Sequence, residues 1–503
     1  MLTRAQFCRF TVCAALLLLI TALSVFAAAD LRLFDAVKKK NLPLVRSLLQ
    51  QRIDVNGAEG DGATALHWAV YGDDAATVDV LLAAGAKAAV MNDLGVTPLA
   101  LASANGNAAV VEKLLRAGGD PDRATETGIT PLMEAARVGS AAVAAALLRS
   151  HANPNAKTMD RGQTALMIAA AGRHPDVVAV LLSNGADVHT RTVAREYKVL
   201  VDRSTYRAAK SPKETGVEIE MGGTTPLLFA VQAGDLESVQ LLLKAGAGPS
   251  EAAADGNTAL VVATHSGYPA IAALLLKSGA KPNEAGAGYT ALHAAVLRRD
   301  VETIRNLLAS GADPNVKLLK GTPVRRWTSI WALPATLMGA SPLLVAANYL
   351  ETDVMRMLVE GGAGVAVSLP NGNTPVHMVA GAQFEKLNRP LDHVDTPTDI
   401  GDTCCERSEP RALEALRFLL EHGADINAVN NAGDTAVHLA AASGFTTIVQ
   451  LLADRGANLN VKNQRGLTPL ASVTAGSGQR GGRVVTPAQK KAEELLKKLG
   501  ATP

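Results

Sequence analysis

The feature that most constrains this 503-residue chain is a short stretch of the form G-x-[TS]-[PA]-[LV], which recurs eleven times. Its Thr or Ser stands at Thr64, Thr97, Thr130, Thr164, Thr225, Thr258, Thr290, Ser341, Thr374, Thr435 and Thr468. Seven of the ten steps between these positions lie within one residue of 33. A fixed period of this length indicates a stack of one repeated unit rather than several separate domains.

Four of the stretches carry a histidine three residues after the Thr, as in TALHWA (64–69) and TAVHLA (435–440). A 33-residue period with a T-P-L-H-x-A core resembles that of ankyrin repeats, and the resemblance spans about residues 30 to 500. It implies an all-α repeat solenoid: an ankyrin-repeat array of about eleven helix-turn-helix units with hairpin fingers, three insertions and terminal caps. It also implies that the motif histidines are structural and tie one repeat to the next by hydrogen bonds: His67, His293, His377 and His438.

The residues of each repeat account for two short helices. Thr or Ser before Pro or Ala is a favourable N-cap, because its oxygen accepts an unpaired backbone N–H while Pro fills the first helical position. A second helix follows with leucines at helical spacing, and it ends at a glycine that can adopt the left-handed conformation. These glycines are Gly85, Gly185, Gly246, Gly279, Gly311, Gly423 and Gly456. The third repeat departs from the pattern, since His151 stands at the glycine position.

A repeat array needs capping elements at both ends. Residues 30–57 predict two N-terminal capping helices, with Asn41 as the N-cap of the second and Lys38, Lys39 and Lys40 at a solvated end. In the C-terminal loop and capping helix, 471–503, Thr486 is an N-cap and Gln489 closes a capping box. The remaining divisions are 1–29 for a signal peptide or anchor, 58–190, 223–316, 339–381 and 411–470 for repeats, and 191–222, 317–338 and 382–410 for insertions.

The N-terminal residues have the pattern of an export signal. Arg4 and Arg9 precede an uncharged run that begins at Phe10, and small residues at 27–29 provide a cleavage site. An uncleaved anchor is the alternative, because the uncharged stretch 10–29 is long enough to cross a bilayer. We therefore expect a periplasmic or secreted protein, or a membrane-anchored one whose repeats lie outside the cytosol and which contacts the membrane through residues 10–29.

The charge balance argues against nucleic acid as a partner. The chain has 49 Lys and Arg residues and 47 Asp and Glu residues, and loss of Arg4 and Arg9 with the signal would make the two numbers equal. A chain this balanced has no overall electrostatic attraction to a phosphate backbone.

The first two insertions fall between repeats, at fingers, and long loops in a compact array are frequently functional. The first includes VEIEM (217–221), whose alternation fits a small hairpin. The second includes RRWTSIWALP (325–334), which contains Arg325, Arg326, Trp327 and Trp331 and no acid. These side chains either contact a protein partner, as aromatic and Arg hot spots do, or fold back onto the concave groove of their own array.

The third insertion interrupts a repeat between its two helices and contains the adjacent Cys404 and Cys405. A disulfide between them requires a distorted peptide, because neighbouring Cα atoms, ~3.8 Å apart, are closer than the usual minimum of ~4.4 Å. The alternatives are free thiols or a bridge to another chain.

The sequence contains no recognised catalytic or metal-binding motif. GSGQRG (476–481) matches the dinucleotide pattern G-x-G-x-x-G, but it lacks the preceding strand and the helix directly after it. His393, with nearby acids and the two cysteines, has the spacing of no recognised metal site. We therefore predict no enzymatic activity, no catalytic residue, no metal and no cofactor.

Recognition is the function that the resemblance implies. Ankyrin-repeat proteins bind protein partners along the concave face, with finger tips and the exposed ends of the first helices. Carried over repeat by repeat, those helix positions are Tyr71, Asn105, Arg137, Gln232, His265, Arg298, Asn348 and Tyr349. We expect a monomeric, exported scaffold for protein–protein interaction that uses its concave face, finger tips and insertions. The alternatives are insertions that form a small-molecule, glycan or metal site, enzymatic or not, and a basic second loop that docks on a membrane or polyanion.

Overall fold

The computed structural model describes residues 31–200, 216–320, 337–381, 403–475 and 485–503. The chain divides into two compact units, Met1–Val193 (unit 1) and Ala194–Pro503 (unit 2). Within each unit, helices follow one another in pairs, and the first helices of neighbouring repeats contact each other, as do the second helices. The prediction of an all-α repeat solenoid is confirmed.

Unit 1 begins with two capping helices and continues with four repeats of two helices each. The described helices are α1 Leu31–Lys38, α2 Leu42–Gln50, α3 Ala65–Tyr71, α4 Ala75–Ala83, α5 Pro98–Ala104, α6 Ala108–Arg116, α7 Pro131–Val138, α8 Ala141–Arg149, α9 Ala165–Ala171 and α10 Pro175–Ser183.

Unit 2 begins with two strands and continues with further helix pairs and a terminal helix. The described elements are β1 Arg195–Leu200, β2 Gly216–Met221, α11 Pro226–Ala233, α12 Leu236–Lys244, α13 Ala259–Ser266, α14 Pro269–Lys277, α15 Ala291–Arg298, α16 Val301–Ala309, α17 Pro342–Asn348, α18 Thr352–Glu360, α19 Pro375–Ala380, α20 Thr403–Glu421, α21 Ala436–Ser443, α22 Thr446–Asp454, α23 Pro469–Ala475 and α24 Pro487–Lys498.

Each first helix begins directly after its motif Thr or Ser. The hydroxyl oxygens of Thr97, Thr130 and Thr164 accept the backbone N–H three residues further on, at 3.1, 3.3 and 3.4 Å. Each bond satisfies one of the N–H groups that the start of a helix leaves unpaired. Ser341 occupies the same position before α17, but its buried hydroxyl has no hydrogen-bond partner within the described chain.

The core of each unit consists of layers of small aliphatic side chains. Ala135 and Ala136 of α7 and Ala169 and Ala170 of α9 have no exposed surface. Because these side chains are small, the first helices of neighbouring repeats pack in direct contact. The resulting stack positions the exposed side chains of the first helices as a row along each unit.

The turns between repeats form fingers that are joined to one another by backbone hydrogen bonds. In unit 1, the Asp93 N–H donates to Asp61 O at 2.9 Å, and the Met159 N–H donates to Thr127 O at 3.0 Å. Gly62 has φ +77°, and a Cβ on it would lie 2.8 Å from Asp93 Oδ1. Glycine is therefore required here both for its left-handed backbone and for the close approach of the next finger.

The second helices end in the left-handed conformation that the sequence predicts. The seven glycines named above for this position have φ between +81° and +98°. His151 adopts the same conformation, with φ +64°, although it carries a Cβ. A residue with a Cβ is strained in this region, so the third repeat carries a local cost that the other repeats avoid.

The ends of the first two insertions are well defined. Insertion 1 forms the expected hairpin, in which β1 pairs antiparallel with β2 and Tyr197 stands opposite Ile219. At insertion 2, the Leu318 N–H donates to Ala340 O and the Gly339 N–H donates to Leu318 O, both at 2.8 Å. Insertion 2 therefore leaves and re-enters the array at one point.

Insertion 3 is predicted from the sequence to span 382–410. In the structure, α20 begins at Thr403, inside this segment, and contains Pro410. The Glu409 carboxylate accepts hydrogen bonds from the Thr447 backbone N–H at 2.7 Å and from its hydroxyl at 2.8 Å. Helix α22 starts at Thr446 and has no capping side chain of its own. The end of insertion 3 therefore belongs to the repeat stack and caps the next repeat.

Candidate functional site

The four motif histidines each link their own repeat to the next one, and both ring nitrogens take part. The Thr64 backbone N–H donates to His67 Nδ1 at 3.1 Å, and His67 Nε2 lies 3.1 Å from Val96 O in the following repeat. A backbone N–H can only donate, so Nδ1 accepts and the proton of the neutral ring is on Nε2, which donates to the carbonyl. Both nitrogens are therefore used in the joint between the repeats.

The other three motif histidines repeat this geometry. Their Nε2 atoms lie 3.2, 2.9 and 3.1 Å from the carbonyl oxygens of the following repeat, for His293 to Ala340, His377 to Asp434 and His438 to Leu467 respectively. Burial lowers the pKa of each ring. The pKa of His293 falls to about 4, although its hydrogen bond to Ala340 acts in the opposite direction and raises the pKa. These rings are neutral parts of the joints at pH 7.

The first-helix residues proposed to contact a partner occupy two different positions of the repeat. Tyr71, Arg137, Gln232, His265 and Asn348 lie seven residues after their Thr or Ser. In this group Tyr71, Arg137 and Gln232 are exposed, whereas His265 and Asn348 are half-buried. Arg137 Nη2 also pairs with Glu134 Oε2 at 2.6 Å within its own helix. This position gives the row of accessible side chains.

The remaining three lie eight residues after the motif residue, and the structure places them in the joints between repeats. Asn105 Nδ2 donates to Val70 O at 2.7 Å, and Arg298 Nη1 donates to His265 O at 3.1 Å. Both acceptors are carbonyls at the C-terminal end of the preceding first helix. Tyr349 is only 8% exposed. The expectation that Tyr349 lies at an exposed helix end is therefore wrong, because one further residue turns a helical side chain by about 100° towards the neighbouring repeat.

An ordered aromatic cluster surrounds Tyr71 at the N-terminal end of unit 1. The Trp68 and Tyr71 rings meet edge to face, with centroids 5.9 Å apart. Trp68 Nε1 donates to Glu59 Oε2 at 2.6 Å, and Lys38 Nζ lies 4.1 Å from the centroid of a Trp68 ring. Lys38 also pairs with Glu59 at 2.7 Å. These contacts fix Trp68, while Tyr71 remains 66% exposed.

The sequence analysis did not select Trp68, although its spacing of three residues from Tyr71 on α3 was a usable signal. It also did not select the apolar side chains at the finger tips of unit 1. Leu94 and Met159 are 72% and 77% exposed. Together with Tyr71, these side chains are among the accessible apolar groups of unit 1.

Several proposed site residues lie outside the described residues: Arg325, Arg326, Trp327 and Trp331. The same holds for residues 1–30, which include the apolar segment, and for His393.

Cys404 and Cys405 fall within α20, whose backbone is helical there. Successive residues of a helix are about 100° apart around its axis, and their peptide is trans. A disulfide between neighbours needs a distorted backbone, and the vicinal bridge, the free thiols and the bridge to another chain all remain predictions.

Among the described residues, there is no group of three or more His, Cys, Asp or Glu side chains that could hold a metal ion. The described helices also include none that is long and apolar enough to span a membrane.

Stacked helix pairs, fingers and histidine joints define a solenoid of the kind that presents an extended surface for binding. The family description "Ankyrin repeats (3 copies)" matches residues 33–125, 99–192, 206–286 and 227–317, and "Ankyrin repeats (many copies)" matches 404–453. The four ranges that match the first description together cover more than half of the chain. The chain therefore belongs to the ankyrin-repeat family.

Parts of this chain are similar to parts of several curated proteins. E3 ubiquitin-protein ligase KEG of Arabidopsis thaliana is 26% identical over 277 residues, which is 51% of this chain and 14% of that protein. Human neurogenic locus notch homolog protein 1 is 37% identical over 139 residues, 26% of this chain and 5% of that protein. Human ankyrin repeat and SOCS box protein 16 is 31% identical over 197 residues, 36% of this chain and 40% of that protein. The chain thus spans well under half the length of each relative.

Among solved structures, the human ASB11 ankyrin repeat domain is 25% identical, with a TM-score of 0.40 and coverage of 50% of this chain and 98% of that one. Ankyrin repeats generally mediate protein–protein interaction.

Proposed function

We propose that this protein is an exported, non-catalytic scaffold that binds a protein partner through the exposed first-helix and finger-tip side chains of unit 1. The observation that carries the proposal is the Trp68–Tyr71 pair, which is held in place by Lys38 and Glu59 and leaves Tyr71 two-thirds exposed. An exposed aromatic side chain on a rigid support loses little conformational freedom when it binds.

Protein interfaces favour this kind of anchor. Tyr, Trp and Arg dominate binding hot spots, and truncation of one such residue to Ala costs 2 kcal/mol or more. Arg137 adds a charged group to the row, and Leu94 and Met159 add apolar contacts at the fingers. This mixture of aromatic, apolar and charged groups suits a protein surface better than a phosphate backbone.

The non-catalytic part of the proposal is supported by the joints. Each motif histidine uses both ring nitrogens to bind the protein itself, so it is not available as a general base or a metal ligand. Export is supported by the segment in which Arg4 and Arg9 precede an uncharged run. Anchoring through residues 10–29 is the alternative location.

The test is crosslinking and affinity capture with the full chain, compared with a Tyr71→Ala, Leu94→Ala variant. We expect the variant to retain at least about tenfold less partner. The matched control is Leu236→Ala, since Leu236 is 36% exposed on the second helix α12 and should leave capture unchanged.

A second variant lacking residues 318–338 tests insertion 2, with Arg325, Arg326, Trp327 and Trp331, as a contact. If the Tyr71→Ala, Leu94→Ala variant captures the same proteins in the same amounts, the surface of unit 1 is not the binding site. Equal capture by the deletion variant would remove insertion 2 from the proposal.

A further inference from the structure

The N-terminal capping helices concentrate positive charge in a chain that is otherwise balanced. Residues 31–52 contain a single acid, Asp35, and six basic residues. All six are exposed; they are called here the basic cap and are Arg32, Lys38, Lys39, Lys40, Arg46 and Arg52. The whole chain has nearly equal numbers of basic and acidic residues, so this excess is local to the cap.

Solubility of a capping repeat does not account for this excess. A cap needs a polar outer face, and the C-terminal helix α24 meets that need with both signs of charge. It contains four lysines and two glutamates, and Lys497 pairs with Glu493 at 2.6 Å. Within residues 31–52, the N-terminal cap carries six basic residues against one acid, Asp35, a larger excess than the four lysines against two glutamates of α24.

Most of the basic cap is not neutralised by the residues that the structure describes. Lys38 pairs with Glu59, as described above. In contrast, Lys39, Lys40, Arg46 and Arg52 have no ion pair within the part of the chain that the structure describes. Their charge remains available for an external anion.

Two further features identify a membrane as the source of that anion. Leu31 and Leu44 are 65% and 42% exposed on the two capping helices, so the basic surface also carries apolar side chains that can enter the interfacial region of a bilayer. The uncharged stretch 10–29 is separated from α1 by Asp30 alone, so a chain that retains it emerges from the bilayer at the cap.

We infer that the basic cap is a docking surface for a membrane that contains anionic lipid, with Arg and Lys side chains on the phosphate headgroups and Leu31 and Leu44 at the interface. Basic residues next to a membrane segment are attracted to anionic lipid, and this attraction is screened by salt. Docking would hold unit 1 against the bilayer surface, whereas the apolar segment alone would only tether it.

Lysine acylation of the full chain in lipid nanodiscs tests the inference. We expect Lys39 and Lys40 to react at least about threefold more slowly in discs of phosphatidylcholine with phosphatidylglycerol than in phosphatidylcholine alone, and this protection should disappear in 0.5 M salt. Lys490 and Lys491 of α24 serve as internal controls, since their reaction rates should be the same in both discs.

Charge reversal separates docking from tethering. Arg46→Glu with Arg52→Glu leaves the reporter lysines in place and should abolish their protection, whereas Arg305→Glu with Arg455→Glu, an equal change at exposed sites elsewhere, should preserve it. Equal reaction rates in both discs would overturn the inference. So would protection that persists in the Arg46, Arg52 variant, or protection by nucleic acid without protection by anionic lipid.

Discussion

Acidification should destabilise the joint that His293 forms between its repeat and the next. The folded ring is neutral, fully buried and bonded at both nitrogens, and burial lowers its pKa from 6.5 to about 4. Between these two values the unfolded chain binds the proton that the folded chain excludes. Stability is therefore complete above about pH 6.5, falls as the pH drops below that value, and levels off below about pH 4.

The size of the effect follows from the difference in pKa. One pKa unit corresponds to ~1.4 kcal/mol, so the full loss is about 3 kcal/mol, and about 2 kcal/mol of it occurs between pH 7.5 and pH 5. Burial lowers the pKa of His67, His377 and His438 as well, so their contributions have the same sign.

The matched variant is His293→Leu, because the chain itself has Leu228 at this position in another repeat. There the Thr225 hydroxyl caps the helix unaided, at 3.4 Å from Leu228 N. At pH 7.5 the variant should be less stable by about 1 kcal/mol, since it loses the bond to Ala340. At pH 5 this difference should vanish or reverse, because the variant has no proton to exclude.

Hydrogen exchange of peptides from residues 290–347, corrected for intrinsic rates, measures the local free energy of opening. A local measurement is needed because repeat arrays do not always unfold in one step. The reasoning is refuted if the wild-type protein shows no loss between pH 7.5 and pH 5, or if His293→Leu shows an equal loss.

Three further substitutions test the backbone and joint assignments. His151→Gly should stabilise unit 1 by about 1 kcal/mol in urea unfolding, because glycine removes the strain of the left-handed backbone. Gly118→His, at the equivalent position with φ +89°, should destabilise unit 1 by a similar amount. Equal unfolding midpoints for the wild-type protein and the two variants would show that His151 is not strained. Asn105→Ala should lower the local free energy of opening at the end of α3 by about 1 kcal/mol, measured by hydrogen exchange, because the bond to Val70 O is lost. Partner capture should be unchanged. Reduced capture with unchanged exchange would place Asn105 on the binding surface instead.

Features that each repeat encodes locally could be predicted from the sequence. The Thr caps and the left-handed glycines depend on residues within a few positions of one another, so the pattern itself specifies them. The start of α20, the second helix of the repeat that insertion 3 interrupts, could not be predicted in the same way. Pro410 and the acids before it indicate a loop, but Glu409 gains two hydrogen bonds to the next repeat, and α20 continues through Pro410.

The candidate site could be predicted only in part, because it depends on contacts between elements. Alignment of the repeats identified Tyr71 but did not show that Asn105, one position further along its own repeat, bonds to the preceding repeat. Trp68 is held by Lys38 and Glu59, which belong to the cap and to the first finger. No single repeat contains that information.

Lys38 connects the two proposed surfaces of unit 1. Its Nζ pairs with Glu59 and lies over Trp68, while the next two residues of the chain, Lys39 and Lys40, belong to the part of the basic cap that has no ion pair with a described residue. A cap docked on anionic lipid would therefore hold the Trp68–Tyr71 face close to the membrane. In a chain cleaved after residue 29, charge reversal in the cap should then release a bound partner from the membrane together with the scaffold, while capture in solution persists. If the partner stays on the membrane without the scaffold, it is recruited there independently of this chain.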